Sequence, residues 1–329
     1  MLRPIPPRFI GYGAYGLCFD KYLGALTPTS DNFFAYLRKN QYPMINLVKV
    51  ICFREPTIEV TAERALPFYN NDAHRTISQD FLNNLDTLVT QAEAHQFWVQ
   101  VCLFSFHNVE QKDYPKNSPP EIIPTGANLC ERLRSFFTTR SAGMRARQTE
   151  VVTAIATKLK NHTNILWELA NEVRMSSKGA CKPENSHNPD DLALVGWLND
   201  TKKVLTDITG PNIHVGTSTG IFNEALTARN VPGTYFDFHS GQWGSDTPDF
   251  ARDIHGCKDN CHTYDPNAFL IINDDGAQTS RDANRQKWAE AAFINKLHYS
   301  TKAHYPPDPN GWDTNALDAL KKANNHFPA

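Results

Sequence analysis

Eight strand-like runs alternate with helical stretches along the 329 residues, and neither a linker nor an internal repeat divides them. Alternation of this kind builds a parallel sheet with crossover helices, and eight strands are the number that closes such a sheet. The sequence therefore predicts an α/β fold, a single-domain (β/α)8 TIM barrel spanning 1–329, with long loops on its carboxyl-end face.

The expected strands are short and apolar: Phe9–Tyr12, Asn46–Phe53, Trp98–Phe104, Ile165–Leu169, His214–Thr217, Tyr235–His239, Phe269–Ile272 and Lys296–Ser300. Between them lie helical patterns at Asp31–Lys39, Gln79–His95, Arg145–Lys160, Asp190–Ile208, Ala283–Ile294 and Asn315–Asn324. Ser78 is placed to cap the second helix, and Pro189-Asp190-Asp191 sets acidic residues at a helix start, where the dipole favours them. The segments Arg54–Thr76, His107–Ala142, Arg174–Pro189 and Ser240–Pro266 follow strands and are long and polar, so they are expected to wall the face on which barrel sites are built.

Composition narrows the function classes. A hydrophobic content of 40% supports one sizeable core, and a net charge of −2 with no basic run gives no footprint for nucleic acid. No apolar stretch approaches the length of a membrane span. Cys18, Cys52 and Cys102 lie in or beside apolar runs and read as core thiols. Cys130, Cys181, Cys257 and Cys261 lie in polar sequence and read as two surface disulfides of an exported protein, although Met1–Pro7 lacks the apolar core of a signal peptide. A cytoplasmic location is the other reading. In His255-Gly-Cys-Lys-Asp-Asn-Cys-His262, a local disulfide is a simpler account than a zinc site, whose cysteines more often stand two residues apart.

The chemistry-bearing segment is Asn164-Ile-Leu-Trp-Glu-Leu-Ala-Asn-Glu-Val173, a buried strand that breaks into the polar pair Asn171-Glu172. A carboxylate beside an amide at the carboxyl end of a core strand is where a barrel of this kind places catalysis. The segment resembles the strand-four signature Trp-Glu-Leu-x-Asn-Glu of the cellulase-superfamily (clan A, family 5-like) glycoside hydrolases, with Val173 where that clan usually has proline. The resemblance implies that Glu172 is a general acid/base and that Asn171 holds the sugar 2-hydroxyl.

A two-carboxylate glycosidase needs a partner for Glu172. Strand seven runs Phe269-Leu-Ile-Ile-Asn-Asp-Asp-Gly276, and alignment with the clan's Glu-x-Gly puts Asp274 at the nucleophile position, one methylene short of glutamate. A shorter arm widens the gap and favours inversion unless the strand shifts. Asp275 is the fallback, since alternation points only one of the pair into the barrel; an acidic turn without catalytic role is the plain alternative. Lys49 stands where the clan has an arginine on strand two. It supplies a point charge to Asp274 without the bidentate fork, with Glu168 as another candidate partner and an outward, snorkelling placement as the alternative.

Strand six resembles the clan's Asp-x-His element. Alternation along Tyr235–His239 sets Tyr235, Asp237 and His239 on one face, expected to be the interior, and Phe236 and Phe238 under the helices. His239 is thus a candidate site residue, or else a hydrogen-bonded core histidine. His107, with Asn108, ends strand three, and His298 and Tyr299 lie on strand eight, as further sugar contacts. Trp243 is a candidate stacking platform, whereas Trp167 is expected in the barrel wall. The reading is a glycosidase cutting O-glycosidic bonds of β-linked oligo- or polysaccharides without metal or organic cofactor. An eroded barrel that binds carbohydrate without cleaving it, and a metal-dependent hydrolase using His239, His298, Asp274 and His107, stay open, as does the oligomeric state.

Overall fold

The computed structural model describes residues 3–14, 17–19, 33–39, 42–53, 68, 76–111, 118–171, 189–218, 236–243, 265, 267–274, 282–302 and 314–328; at 107, 241–243 and 274, among others, it describes the backbone. Eight parallel strands close into a barrel in chain order. They are β1 Ile10–Gly13, β2 Leu47–Ile51, β3 Trp98–Ser105, β4 Ile165–Asn171, β5 His214–Thr217, β6 Phe238–Trp243, β7 Phe269–Asp274 and β8 His298–Lys302. The helices are α1 Phe33–Lys39, α2 Gln79–Ala94, α3 Phe106–Gln111, α4 Leu129–Leu133, α5 Ala142–Leu159, α6 Pro189–Thr209, α7 Asp282–Ile294 and α8 Thr314–His326. The segment expected to be one loop after β3 is thus partly helical, carrying α3 and α4. Ser78 does cap α2, its hydroxyl accepting from the Phe81 amide at 3.4 Å.

Every strand is buried on both faces, so alternation sorts residues between two different cores. Outward residues such as Val48, Val50, Val101, Trp167, Leu169 and Ile272 join one large apolar cluster with the helices. Inward residues Phe9, Leu47, Trp98, Leu166, Phe238 and Ile271 form a separate apolar cluster that fills the barrel near the strands' amino ends. Above it the interior turns polar. Lys49 of β2 reaches Glu168 of β4, and Gln100 of β3 reaches Ser240 of β6. Neither strand pair is adjacent in the sheet, so both contacts cross the barrel interior. Filling by such layers of side chains makes the barrel a packed core rather than a pore. Phe238 takes its space from β5: a Cβ on Gly216 would lie 2.4 Å from the Phe238 carbonyl oxygen and 2.6 Å from its ring.

Two helix-to-strand junctions use the same turn. Gln96 after α2 and Lys296 after α7 adopt φ of 65° and 58°. In each, paired backbone bonds close the helix end: Phe97 N–H to the Ala92 carbonyl, and Leu297 N–H to the Ala292 carbonyl. This left-handed cap normally carries glycine, because an L side chain there costs about 1–2 kcal/mol. Gln96→Gly is expected to raise the unfolding free energy by roughly 0.5–1 kcal/mol, the gain being offset in part by the greater freedom of glycine in the unfolded chain. Urea melts of the single variant check this, and an unchanged or lower midpoint would contradict it.

Of the cysteines, Cys18, Cys52 and Cys102 are buried and outside any disulfide, as their apolar settings imply. Cys130 lies on α4 and is buried too, not in an exposed loop. Cys181, Cys257 and Cys261 lie outside the described residues, together with the His255–His262 segment. No helix among the described residues is long and apolar enough to cross a membrane.

Candidate active site

The apolar run of β2 is broken by one charged residue, and its even spacing from Leu47 turns that residue inward. Lys49 is fully buried, as is Glu168 on β4. The ammonium lies 3.0 Å from Oε1 and 2.9 Å from Oε2 of Glu168, and it also donates to Oδ1 of Asn171 at 2.7 Å. The snorkelling placement of Lys49 is therefore excluded, and Glu168 is its partner. A buried charge needs such a partner, because desolvation otherwise costs several kcal/mol. Gln100 supports the pair from β3, donating to Glu168 Oε2 at 2.9 Å and to the Ser240 hydroxyl at 3.1 Å. Asn273 of β7 donates to the same hydroxyl. Burial holds the Glu168 carboxyl above the usual carboxylate range, with Lys49 and the hydrogen bonds pulling in the other direction. Burial also raises the neighbouring Cys102 thiol, assisted by the charge on Glu168.

Glu168 and Asn171 are three residues apart, an odd spacing that strict alternation would send to opposite faces. Both nevertheless meet Lys49, because β4 ends at Asn171 and its side chain turns over the rim onto the long lysine arm. The carboxyl end of β4 is thus polar, buried and tied to the barrel interior. Glu172 follows immediately and lies outside the described residues, as does Asp275; Asp274 ends β7, with its backbone described. The side chains of His107, at the start of α3, and Trp243, at the end of β6, are likewise outside the described set.

Three expected site residues are placed elsewhere. His239 faces out of the barrel, since its neighbours Phe238 and Ser240 both face in. Its Nε2 lies 3.1 Å from Oδ2 of Asp265, and its ring packs edge-on to Phe236; it is a hydrogen-bonded core histidine. Asp237 is exposed and binds the Val215 amide at 2.8 Å, near the amino end of the strands. Tyr299 is buried against Phe293 of α7, on the outward face. His298 opens β8 and therefore sits at the amino-end floor, between Phe9 and Phe269. Asn108, the neighbour of His107, is spent on a structural bond, donating to the Phe53 carbonyl.

His298 carries a testable consequence. Its Nδ1 accepts the Phe9 amide at 2.7 Å, which requires the neutral ring. Burial, with the nearby Arg8 charge, lowers its pKa to about 4. A histidine whose folded pKa is depressed costs nothing above the unfolded value near 6.5. As pH falls below that, the unfolded chain takes up a proton that the fold refuses, and stability drops until about pH 4. The full loss is roughly 3 kcal/mol. His298→Asn, which keeps an acceptor for Phe9, is expected to flatten the fall in urea midpoint between pH 7.5 and 4.5; an unaltered slope would contradict this assignment.

Of the residues the sequence reading missed, Gln100 carries a signal like that of Lys49, a polar residue of inward parity in an apolar stretch, whereas Ser240 and Asn273 have polar neighbours, His239 and Asp274, that blur it. Asp265 had no signal, being brought to His239 only by the fold. Among the described residues, no group of three or more His, Cys, Asp or Glu side chains is arranged to hold a metal ion. His239 and His298 lie on opposite faces of the barrel wall, so the set of His239, His298, Asp274 and His107 is not brought to one site.

No family model matches the sequence, and no curated protein matches it. Solved structures do share its fold. The endo-1,4-β-mannanase of Rhizomucor miehei superposes with a TM-score of 0.68 at 15% identity, covering 99% of this chain and 96% of that one. The hyperthermostable endo-1,4-β-D-mannanase of Thermotoga petrophila gives 0.65 at 12%, covering 97% and 100%. A glycoside hydrolase family 5 lichenase of Caldicellulosiruptor sp. F32 gives 0.57 at 14%, covering 95% and 92%. The architecture is that of the barrels the sequence resembles.

Proposed function

We propose that this barrel is a glycoside hydrolase that cleaves O-glycosidic bonds of β-linked oligo- or polysaccharides with two carboxyl groups. Glu172 protonates the leaving oxygen and then activates water, and a strand-seven aspartate attacks or stabilises the anomeric centre. The observation that carries the reading is Asn171, buried at the carboxyl end of β4 with its carbonyl held by Lys49, directly before Glu172. A fold shared end to end with mannanases and a lichenase agrees with it.

For the second carboxylate, spacing to Gly276 favours Asp274. The inward placement of Ile271 and Asn273 favours Asp275, one alternation further on. Asp274 is retained as the first choice and Asp275 as the second reading. Trp243 and His107 remain proposed sugar contacts; export, and disulfides among Cys130, Cys181, Cys257 and Cys261, belong to the same proposal.

The test is turnover of aryl glycosides and of β-glucan, mannan and xylan oligosaccharides by wild type, Glu172→Gln, Asp274→Asn and Asp275→Asn. Loss in Glu172→Gln and in one aspartate variant assigns the pair, and the anomer released, read by proton NMR, decides retention or inversion. Binding without turnover across the panel would replace this reading with a carbohydrate-binding barrel.

A further inference from the structure

On β4, before its carboxyl end, lies a charged group that the proposed mechanism leaves unused. Glu168 is fully buried on β4, three residues before the strand ends at Asn171. We propose that Glu168 is a positioning residue: through Lys49 it fixes the carboxamide of Asn171 with the carbonyl turned into the barrel and the NH2 turned to the mouth. The proposal rests on the glycosidase reading for its kinetic consequence, but not for its geometry.

The argument starts from donor chemistry. An ammonium has donors and no acceptor, so the carboxamide atom 2.7 Å from Lys49 Nζ must be the oxygen. The two N–H groups of Asn171 then point away from Lys49. Whatever Asn171 meets on the side away from Lys49 it meets with its donors, so an atom it recognises on a saccharide is an oxygen in its acceptor role.

Glu168 is what makes the charged form tenable in a dry interior. Both of its oxygens lie within 3.0 Å of Nζ. The carboxylate is itself held from the far side, Gln100 linking Oε2 to the Ser240 hydroxyl, and Asn273 bonding to that hydroxyl in turn. The orientation of one amide at the rim is thereby set by side chains from β2, β3, β4, β6 and β7. Glu168 acts at two removes from the reacting bond.

The experiment compares wild type with Glu168→Gln, which keeps shape and loses charge, and with Lys49→Arg and Lys49→Met. Each is assayed on an aryl β-glycoside that wild type hydrolyses and on its 2-deoxy counterpart. Misplacement of a contact by about 1 Å costs on the order of 100-fold. Glu168→Gln is therefore expected to lower kcat on the parent glycoside by roughly 10- to 100-fold with little change in KM. On the 2-deoxy substrate, which lacks the group Asn171 holds, the loss should shrink to within about 3-fold. Lys49→Arg should retain more activity than Lys49→Met. Equal losses on the two substrates would overturn the proposal, since damage to the barrel alone does not distinguish them.

A second readout needs no turnover. The side-chain 1H–15N pair of Asn171, identified by its disappearance in Asn171→Asp, should shift in Glu168→Gln and Lys49→Met at temperatures where all three proteins are folded. An unmoved pair would overturn the positioning role. Absence of hydrolysis by wild type, with a shifted pair, would instead remove the glycosidase reading and leave the orientation device standing.

Discussion

Glu172→Gln is expected to abolish most turnover, lowering kcat by about 100- to 10,000-fold on substrates with poor leaving groups. The size follows from the two tasks assigned to one carboxyl: it protonates the departing oxygen, and it later removes a proton from water. Glutamine keeps the volume and does neither. The loss should depend on the leaving group, because an activated aryl oxide departs with little protonation; on a dinitrophenyl glycoside the first step survives and the second becomes limiting. Measuring kcat across a series of aryl leaving groups checks this. A uniform loss at every leaving-group pKa would move the acid role away from Glu172.

The second large effect is on stability. Lys49→Met is expected to lower the unfolding free energy by roughly 3–5 kcal/mol, because it strands the Glu168 carboxylate in the barrel interior. The loss should be mostly recovered in Lys49→Met/Glu168→Met, since exchanging a buried ion pair for apolar side chains of similar volume is often neutral or better. Recovery should be incomplete, because Gln100 then keeps only its Ser240 partner. Urea unfolding of the two single variants and the double variant gives the coupling directly. Activity should not return with stability, because the double variant also lacks the donor that holds Asn171. Additive losses would show that the pair does not act as a unit.

The sequence made the barrel legible because its strands are short apolar runs bounded by helix patterns, and β5, expected at His214–Thr217, is found there. Depth and face were harder to read. Along β6, alternation separates Phe236 and Phe238 from Asp237 and His239, yet both faces of a barrel strand are buried, so polarity alone does not say which is the interior. The apolar floor of this barrel took Phe238, and His239 went under the helices. On β8 the difficulty was register. The strand begins at His298, two residues later than expected, because the left-handed turn at Lys296 completes the helix end first. That delay puts His298 at the floor instead of the mouth. The burial of Lys49 was legible because a lone charge in an apolar strand has few places to go, but its contact with Glu168 was only one of the two partners the sequence offered. Gln100 carried the same signal in a milder form, an uncharged residue that a strand tolerates on either face.

The apolar floor formed by Phe9, Leu47, Trp98, Leu166, Phe238 and Ile271 makes the polar layer above it a blind alley. Solvent deuterons can reach the side-chain amides of Gln100 and Asn273 from the carboxyl end alone. Their exchange rates therefore form a clock that is read at depth and set at the surface. A saccharide lodged at the rim should stop this clock in proportion to its occupancy while touching neither amide. Exchange measured with and without ligand would report occupancy of the rim from the inside.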